Sequence, residues 1–196
     1  MTQNNKIIAV TGGIGSGKST VCKIIKESGF SVISCDEVYS ELLKDGGFLN
    51  TLQNEFGDIL SPDGSLDRKK LAEIAFNDEA NRKKLEKITH PTIMSEVFTR
   101  AKEFSLCFCE VPLLFEKGYE KLFNNVIVVL RPLEERILSV QKRDGLSRES
   151  VILRLKSQIN YEKFDFAKYY VIHNNGDFGD LKAKTVEILN KITQFT

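Results

Sequence analysis

Five short runs along the chain are almost continuously apolar: KIIAVT (6–11), SVISC (31–35), LCFCEV (106–111), NVIVVL (125–130) and YYVIH (169–173). They do not alternate between apolar and polar positions. A strand covered on both faces reads this way, because neither side meets water, and such strands belong to parallel sheets. Between the runs, apolar residues recur every three or four positions, the period of a helix with one buried face. Strands alternating with helices predict right-handed strand–helix–strand units. The expected fold is therefore α/β, a five-stranded parallel sheet flanked by helices.

Two stretches depart from that alternation. Residues 37–104 are too long for a crossover and carry several helical patterns: EVYSELLK, FLNTLQNEF, RKKLAEIAF, EANRKKLEKIT and PTIMSEVFTRAKEF. GDILSPDGSLD interrupts them with a Pro-Asp-Gly turn signature. This predicts a helical, substrate-binding insertion at 37–104 in a core made of 1–36 and 105–196. His90 precedes Pro91; a residue before proline is disfavoured in the helical region, so a helix boundary is expected there. The second departure is RILSVQKRDGLSRESVILRLKSQ (136–158), where Gly145 separates two helical patterns and Ser147 can cap the second. It predicts a helical lid at roughly 138–165. No repeat, low-complexity tract or linker is present.

Composition narrows the class. The 196 residues suffice for one compact domain with insertions. Lys and Arg number 28 against 27 Asp and Glu, a net charge of +1, which gives no electrostatic reason to expect nucleic acid as a partner. No apolar run approaches a membrane span, and MTQNNKIIAV is too polar for a signal peptide. Cys22, Cys35, Cys107 and Cys109 lack Cys-x-x-Cys spacing and read as buried, reduced thiols, pointing to the cytoplasm.

The chemistry begins where the first apolar run stops. Gly12-Gly13-Ile14-Gly15-Ser16-Gly17-Lys18-Ser19 fits the phosphate-binding pattern G-x-x-x-x-G-K-[ST], with a strand before it and an amphipathic helix after it. Glycines let backbone N–H groups turn around phosphate oxygens without a side chain in the way. The helix beyond adds the positive end of its dipole. Gly13, Gly15, Ser16, Gly17, Lys18, Ser19 and Thr20 are thus the expected nucleotide cradle. Lys18 is placed to reach the β- and γ-phosphates, and Ser19 to bind Mg²⁺.

A kinase also needs an acceptor and a base. Asp36 ends the second apolar run, at the carboxyl edge where open α/β sheets bind ligands. Two roles are open to it, general base or helix N-cap. Arg136, Arg143, Arg148 and Arg154 surround the Gly145 break and are either a solvated helix face or a source of charge for a transferring phosphoryl group. Glu110, at the end of the third run, and Glu116 are open between a metal-shell role and none. The guanine-reading Asn-Lys-x-Asp pattern of GTPases is missing from the sequence, so a small-molecule kinase fits better than a switch or motor. Other acceptors for such a kinase are nucleosides, nucleotides or sugar acids.

Seven motifs taken together resemble the dephospho-coenzyme A kinase family: VTGGIGSGKST, CDEVY, FGDILSPDGSLDRKKLAEIAF, LEKITHPTI, VPLLFE, KRDGLSRE and VIHNNGD. The resemblance covers nearly the whole chain, and the spacing of DG-x-LDR, HP and PLL-x-E is its specific part. It implies a P-loop kinase fold with a nucleotide-binding core, a helical CoA-binding domain and a lid. It implies ATP with Mg²⁺ as donor and dephospho-CoA as acceptor, with a monomer or weak homo-oligomer expected. Asp36 matches the family's catalytic aspartate and Arg143 its phosphate-contacting lid arginine. Arg68, His90 and Leu114 fall in motifs around the acceptor, and Asn175 and Gly176 lie in the loop expected against adenine. Beside these implied roles, Asp67 can cap a helix and leave Arg68 exposed, and His90 can be a plain boundary residue. Lys168 and Tyr169 stand where the family more often has an acidic pair.

Overall fold

A computed structural model describes residues 5–194. Five strands form one sheet: β1 (Lys6–Thr11), β2 (Ser31–Ser34), β3 (Leu106–Glu110), β4 (Asn125–Leu130) and β5 (Tyr170–His173), in the order β2-β3-β1-β4-β5. The pairings of β1 with β3 and β4, and of β4 with β5, are parallel, with Ile8 opposite Phe108 on one side and Asn125 on the other. β1 is therefore central, and the carboxyl ends that follow it gather Thr11, Glu110, Leu130 and His173 along one edge, where ligands bind in open α/β sheets. One face is sealed by α1 (Lys18–Glu27) and α8 (Phe178–Gln194): Val21, Ile24, Ile25, Leu181, Ile188 and Leu189 pack on Ile8, Val10, Phe108 and Ile127. Each such buried aliphatic contributes about 1.5–3 kcal/mol, so this layer supplies much of the rigidity under the nucleotide loop.

The chain divides into two compact units, Met1–Ile33 with Ala101–Thr196, and Ser34–Arg100. The second begins at Ser34 instead of residue 37 and ends at Arg100 instead of 104. It contains α2 (Cys35–Leu42), α3 (Gly46–Phe56), α4 (Arg68–Asn77) and α5 (Glu79–Ala101), with its own core of Leu43, Phe48, Leu52, Ile59 and Leu71. The Pro-Asp-Gly segment makes a tight reversal between Leu60 and Leu66, closed by Ser61 N–H on the Ser65 carbonyl at 2.8 Å.

The expected boundary at His90 is not there. α5 runs through Pro91 without a break. Proline removes one backbone donor and costs about 3 kcal/mol in a helix interior. The burial of Thr89, Met94, Val97 and Ala101 along the same helix offsets that cost, so packing overrides the local preference. The second apolar run is also shorter than expected, because Cys35 opens α2 instead of closing β2.

The second departure from the strand–helix alternation is a helical hairpin. α6 (Leu133–Asp144) ends at Gly145, and α7 (Arg148–Lys156) is capped by Ser147, whose Oγ accepts the Ser150 N–H at 3.2 Å. Ile137, Val140 and Val151 form its small core, against which Ile14 of the glycine-rich loop packs. No helix among the described residues is long and apolar enough to cross a membrane.

Candidate active site

The glycine-rich loop leaves β1 at Thr11 and enters α1 at Lys18. Its last residue, Gly17, is the N-cap of α1 with φ of +99°, a left-handed conformation that side-chain-bearing residues rarely adopt. A glycine cap offers no side chain to the first amides of the helix. Those N–H groups stay available to an anion, which the helix dipole favours. Gly13 is needed for space: a Cβ there would collide with the Arg136 guanidinium. Ser16 adds a hydroxyl that is buried and has no hydrogen-bond partner, a donor suited to a phosphate oxygen. Lys18 folds back over the loop, its Nζ donating to the Gly12 and Gly13 carbonyls at 2.8 and 3.2 Å.

In the first turn of α1, Ser19 Oγ donates to Glu110 Oε1 at 2.9 Å. A hydroxyl and a carboxylate are hard oxygen donors, and Mg²⁺ takes few protein ligands because it keeps waters and substrate phosphates. This pair fits that ion. Glu110, left open by its sequence, thus stands beside Ser19. Beneath it, burial and the neighbouring Glu110 push the Cys22 thiol up from its ordinary value, so Cys22 is a protonated core residue and no nucleophile.

The arginines separate. Arg136 is 6% exposed; its Nε donates to the Ile14 carbonyl at 3.0 Å, and its guanidinium lies 5.8 Å from the centre of the Tyr161 ring. It makes no ion pair among the described residues. Burial pushes its pKa below the ordinary value. Arg143, at the far end of α6, forms a bidentate pair with Asp144 at 2.7 and 3.0 Å, with its side chain 62% exposed. Arg154 reaches the same carboxylate at 3.7 Å, while Arg148 ties α7 to Glu134 of α6.

Behind the loop, Asn174 is buried, and its Nδ2 donates to the Ser16 carbonyl at 2.8 Å. Asn175 accepts from Lys184 Nζ at 3.2 Å and borders a cavity of about 250 Å³ with Leu130, Pro132, Arg136, Tyr161 and His173. At Gly176 a Cβ would meet the Asp180 carboxylate. Leu114 is fully buried, whereas its neighbour Leu113 is exposed. Glu116 Oε1 accepts the Ile159 N–H at 3.0 Å.

In the helical unit Asp36 is exposed in the first turn of α2, and it is not the cap. Ser34 holds that position, its Oγ accepting the Glu37 N–H at 3.3 Å. Tyr39, three residues on, is pushed up by burial, with the Arg68 charge opposing. Asp67 caps α4 through the Lys70 N–H at 3.0 Å, and Arg68 is exposed at its first position. His90 is half-buried within α5.

Reasoning from sequence missed Asn174 and Gln158. For Asn174 a signal existed: the alternation that buries Ile172 and exposes His173 continues one step beyond β5. For Gln158, two residues past α7, no local pattern marks the contact its Oε1 makes in accepting the Ile14 N–H at 2.8 Å.

A parallel sheet, a glycine-capped loop and an oxygen pair at its first helical turn define a P-loop kinase. Solved structures agree on the fold: a shikimate kinase from Acinetobacter baumannii superposes with a TM-score of 0.58 at 15% identity, over 99% of this chain and 96% of that one. The model of the dephospho-CoA kinase family matches residues 6–180. A dephospho-CoA kinase of Dehalococcoides mccartyi is 39% identical over 95% of this chain and 96% of its own. The solved dephospho-CoA kinase of Campylobacter jejuni gives a TM-score of 0.71 at 34% identity, over 96% and 97% of the two chains. This chain belongs to the dephospho-CoA kinase family.

Proposed function

We propose that this chain transfers the γ-phosphoryl group of ATP to the 3′-hydroxyl of the ribose of dephospho-coenzyme A, giving coenzyme A and ADP, the last step of coenzyme A synthesis. The observation that carries this reading is the family match, which spans the nucleotide loop, the helical insertion and the lid alike. The loop amides and Lys18 hold the β- and γ-phosphates. Mg²⁺, taken by Ser19 with Glu110 beside it, neutralises charge on those oxygens when bound. Arg143 on the lid stabilises the transferring group, and Thr20 stays in the nucleotide set. Asn175 and Gly176 border the adenine. Asp36 orients the ribose hydroxyl and accepts its proton. Arg68, His90 and Leu114 shape the acceptor site, with 37–104 as the CoA-binding domain. The transition state is loose and needs little covalent help, so positioning carries most of the rate. The reading is of a cytoplasmic enzyme, monomeric or weakly associated, with small molecules as its partners.

The test is ADP release by the purified protein with Mg-ATP, with dephospho-CoA, adenosine, AMP or gluconate as acceptor. Stimulation by dephospho-CoA alone, with a product one phosphate heavier, is expected. Turnover only with another acceptor overturns the choice of substrate.

A further inference from the structure

Three side chains grip the nucleotide loop from outside, and none of them comes from the loop itself. Asn174 Nδ2 donates to the Ser16 carbonyl at 2.8 Å. Arg136 Nε donates to the Ile14 carbonyl at 3.0 Å. Gln158 Oε1 accepts the Ile14 N–H at 2.8 Å and lies 3.4 Å from Arg136 Nη2. The Gln158 atom facing two donors must be its oxygen, which fixes the amide's orientation.

The consequence follows from peptide geometry. A trans peptide is planar, so its N–H points opposite to the carbonyl it is joined to, and the described residues contain no cis peptide. When Asn174 draws the Ser16 carbonyl outward, the Gly17 N–H is turned to the opposite, concave side of the loop. When Arg136 draws the Ile14 carbonyl outward, the Gly15 N–H turns the same way. Gln158 holds the preceding Gly13–Ile14 peptide by its N–H. The carbonyl of that peptide is left facing the loop, where Ser16 N–H reaches it at 3.1 Å and Lys18 Nζ at 3.2 Å. Neither side chain is idle packing. Asn174 is buried with its amide against Gly17, where a Cβ would strike it. Gln158 follows α7, while Arg136 lies in α6, so both flanks of the lid hairpin end on Ile14.

We propose that Asn174 and Gln158 are positioning residues of the nucleotide loop that do not touch the ligand: Asn174, through the Ser16 carbonyl, aims the Gly17 amide at the phosphates, and Gln158 anchors the Ile14 N–H and the Arg136 guanidinium, whose hold on the Ile14 carbonyl aims the Gly15 amide. This rests on the reading of the loop as the ATP site. Arg136 shares the task, but it also borders the cavity beside Asn175, so it makes a poor probe.

The full-length variants Asn174→Leu and Gln158→Met keep side-chain size and remove one hydrogen-bonding group each. Calorimetry with ATP, tripolyphosphate and adenosine, and no acceptor, reads the effect. A rise of tenfold or more in Kd for ATP and tripolyphosphate is expected, with the Kd for adenosine unchanged. In turnover the KM for ATP rises while that for dephospho-CoA stays. Unchanged ATP affinity in folded variants overturns the proposal, and so does an equal loss for adenosine, which is what general loosening gives. If Asn174→Leu does not fold, Gln158→Met decides alone, its side chain being only half-buried. A protein that binds ATP as described but never phosphorylates dephospho-CoA would overturn the proposed reaction and leave this inference standing.

Discussion

At the scale of single residues, chemistry and support divide between neighbours that sequence alone could not rank. Arg136 and Arg143 lie seven positions apart on α6, nearly on one face, and are alike in type. About 10 Å of helix rise separates them. That distance leaves the first buried on the glycine-rich loop and the second in solvent beside Asp144. Glu110 is equally ambiguous as a sequence position, and the structure sets the Ser19 hydroxyl on its carboxylate. Three substitutions test the assignments. Lys18→Ala should lower ATP affinity and turnover together, and calorimetry plus initial rates would expose an intact rate. Asp36→Asn should keep ATP binding while turnover drops by about 10²–10⁴, the usual share of a general base; a loss of only a few-fold removes that role. Glu110→Gln should raise the Mg²⁺ concentration giving half-maximal rate several-fold, read from a metal titration at fixed ATP.

At the scale of elements, the apolar runs located all five strands, most cleanly β1, β3 and β4, which are buried along nearly their whole length and have no polar side to blur the pattern. It failed where local preference and packing disagree. His90-Pro91 reads as a stop, yet α5 continues because its buried face is long. Cys35 reads as strand and is helix, since Ser34 caps from the preceding position. The cap at Asp67 was legible, and its contribution is measurable. Asp67→Ala should cost about 1 kcal/mol, seen as a lower urea midpoint, whereas Asp67→Asn should stay near the parent. By contrast, the Arg148–Glu134 pair is half-exposed or more on both sides. Water screens such pairs, so the hairpin owes its shape chiefly to Ile137, Val140 and Val151.

At the scale of the whole molecule, a ligand that binds only the native chain raises its stability by mass action. ATP at one hundred times its Kd adds about 2.7 kcal/mol. For a chain of this size that is a rise in Tm of roughly 5–11 °C. A melting series against ATP concentration checks it, and Lys18→Ala should flatten the curve. Residues 37–104 read in the sequence as a stretch too long and too helical for a crossover, and the second compact unit of the structure is Ser34–Arg100. What was hidden is the set of contacts joining distant segments, such as Asn174 on Ser16, because nothing near either residue encodes the other.

The sheet order has a consequence for how the protein comes into being. The central strand is the first to leave the ribosome, yet both its neighbours lie roughly a hundred residues downstream. At about 5–20 residues per second, the opening segment waits roughly 5–25 s for partners. During that wait an apolar, unpaired KIIAV is exposed on the nascent chain. The strand written before the others waits for partners written much later, and its exposure makes chaperone binding during synthesis a property of the topology itself.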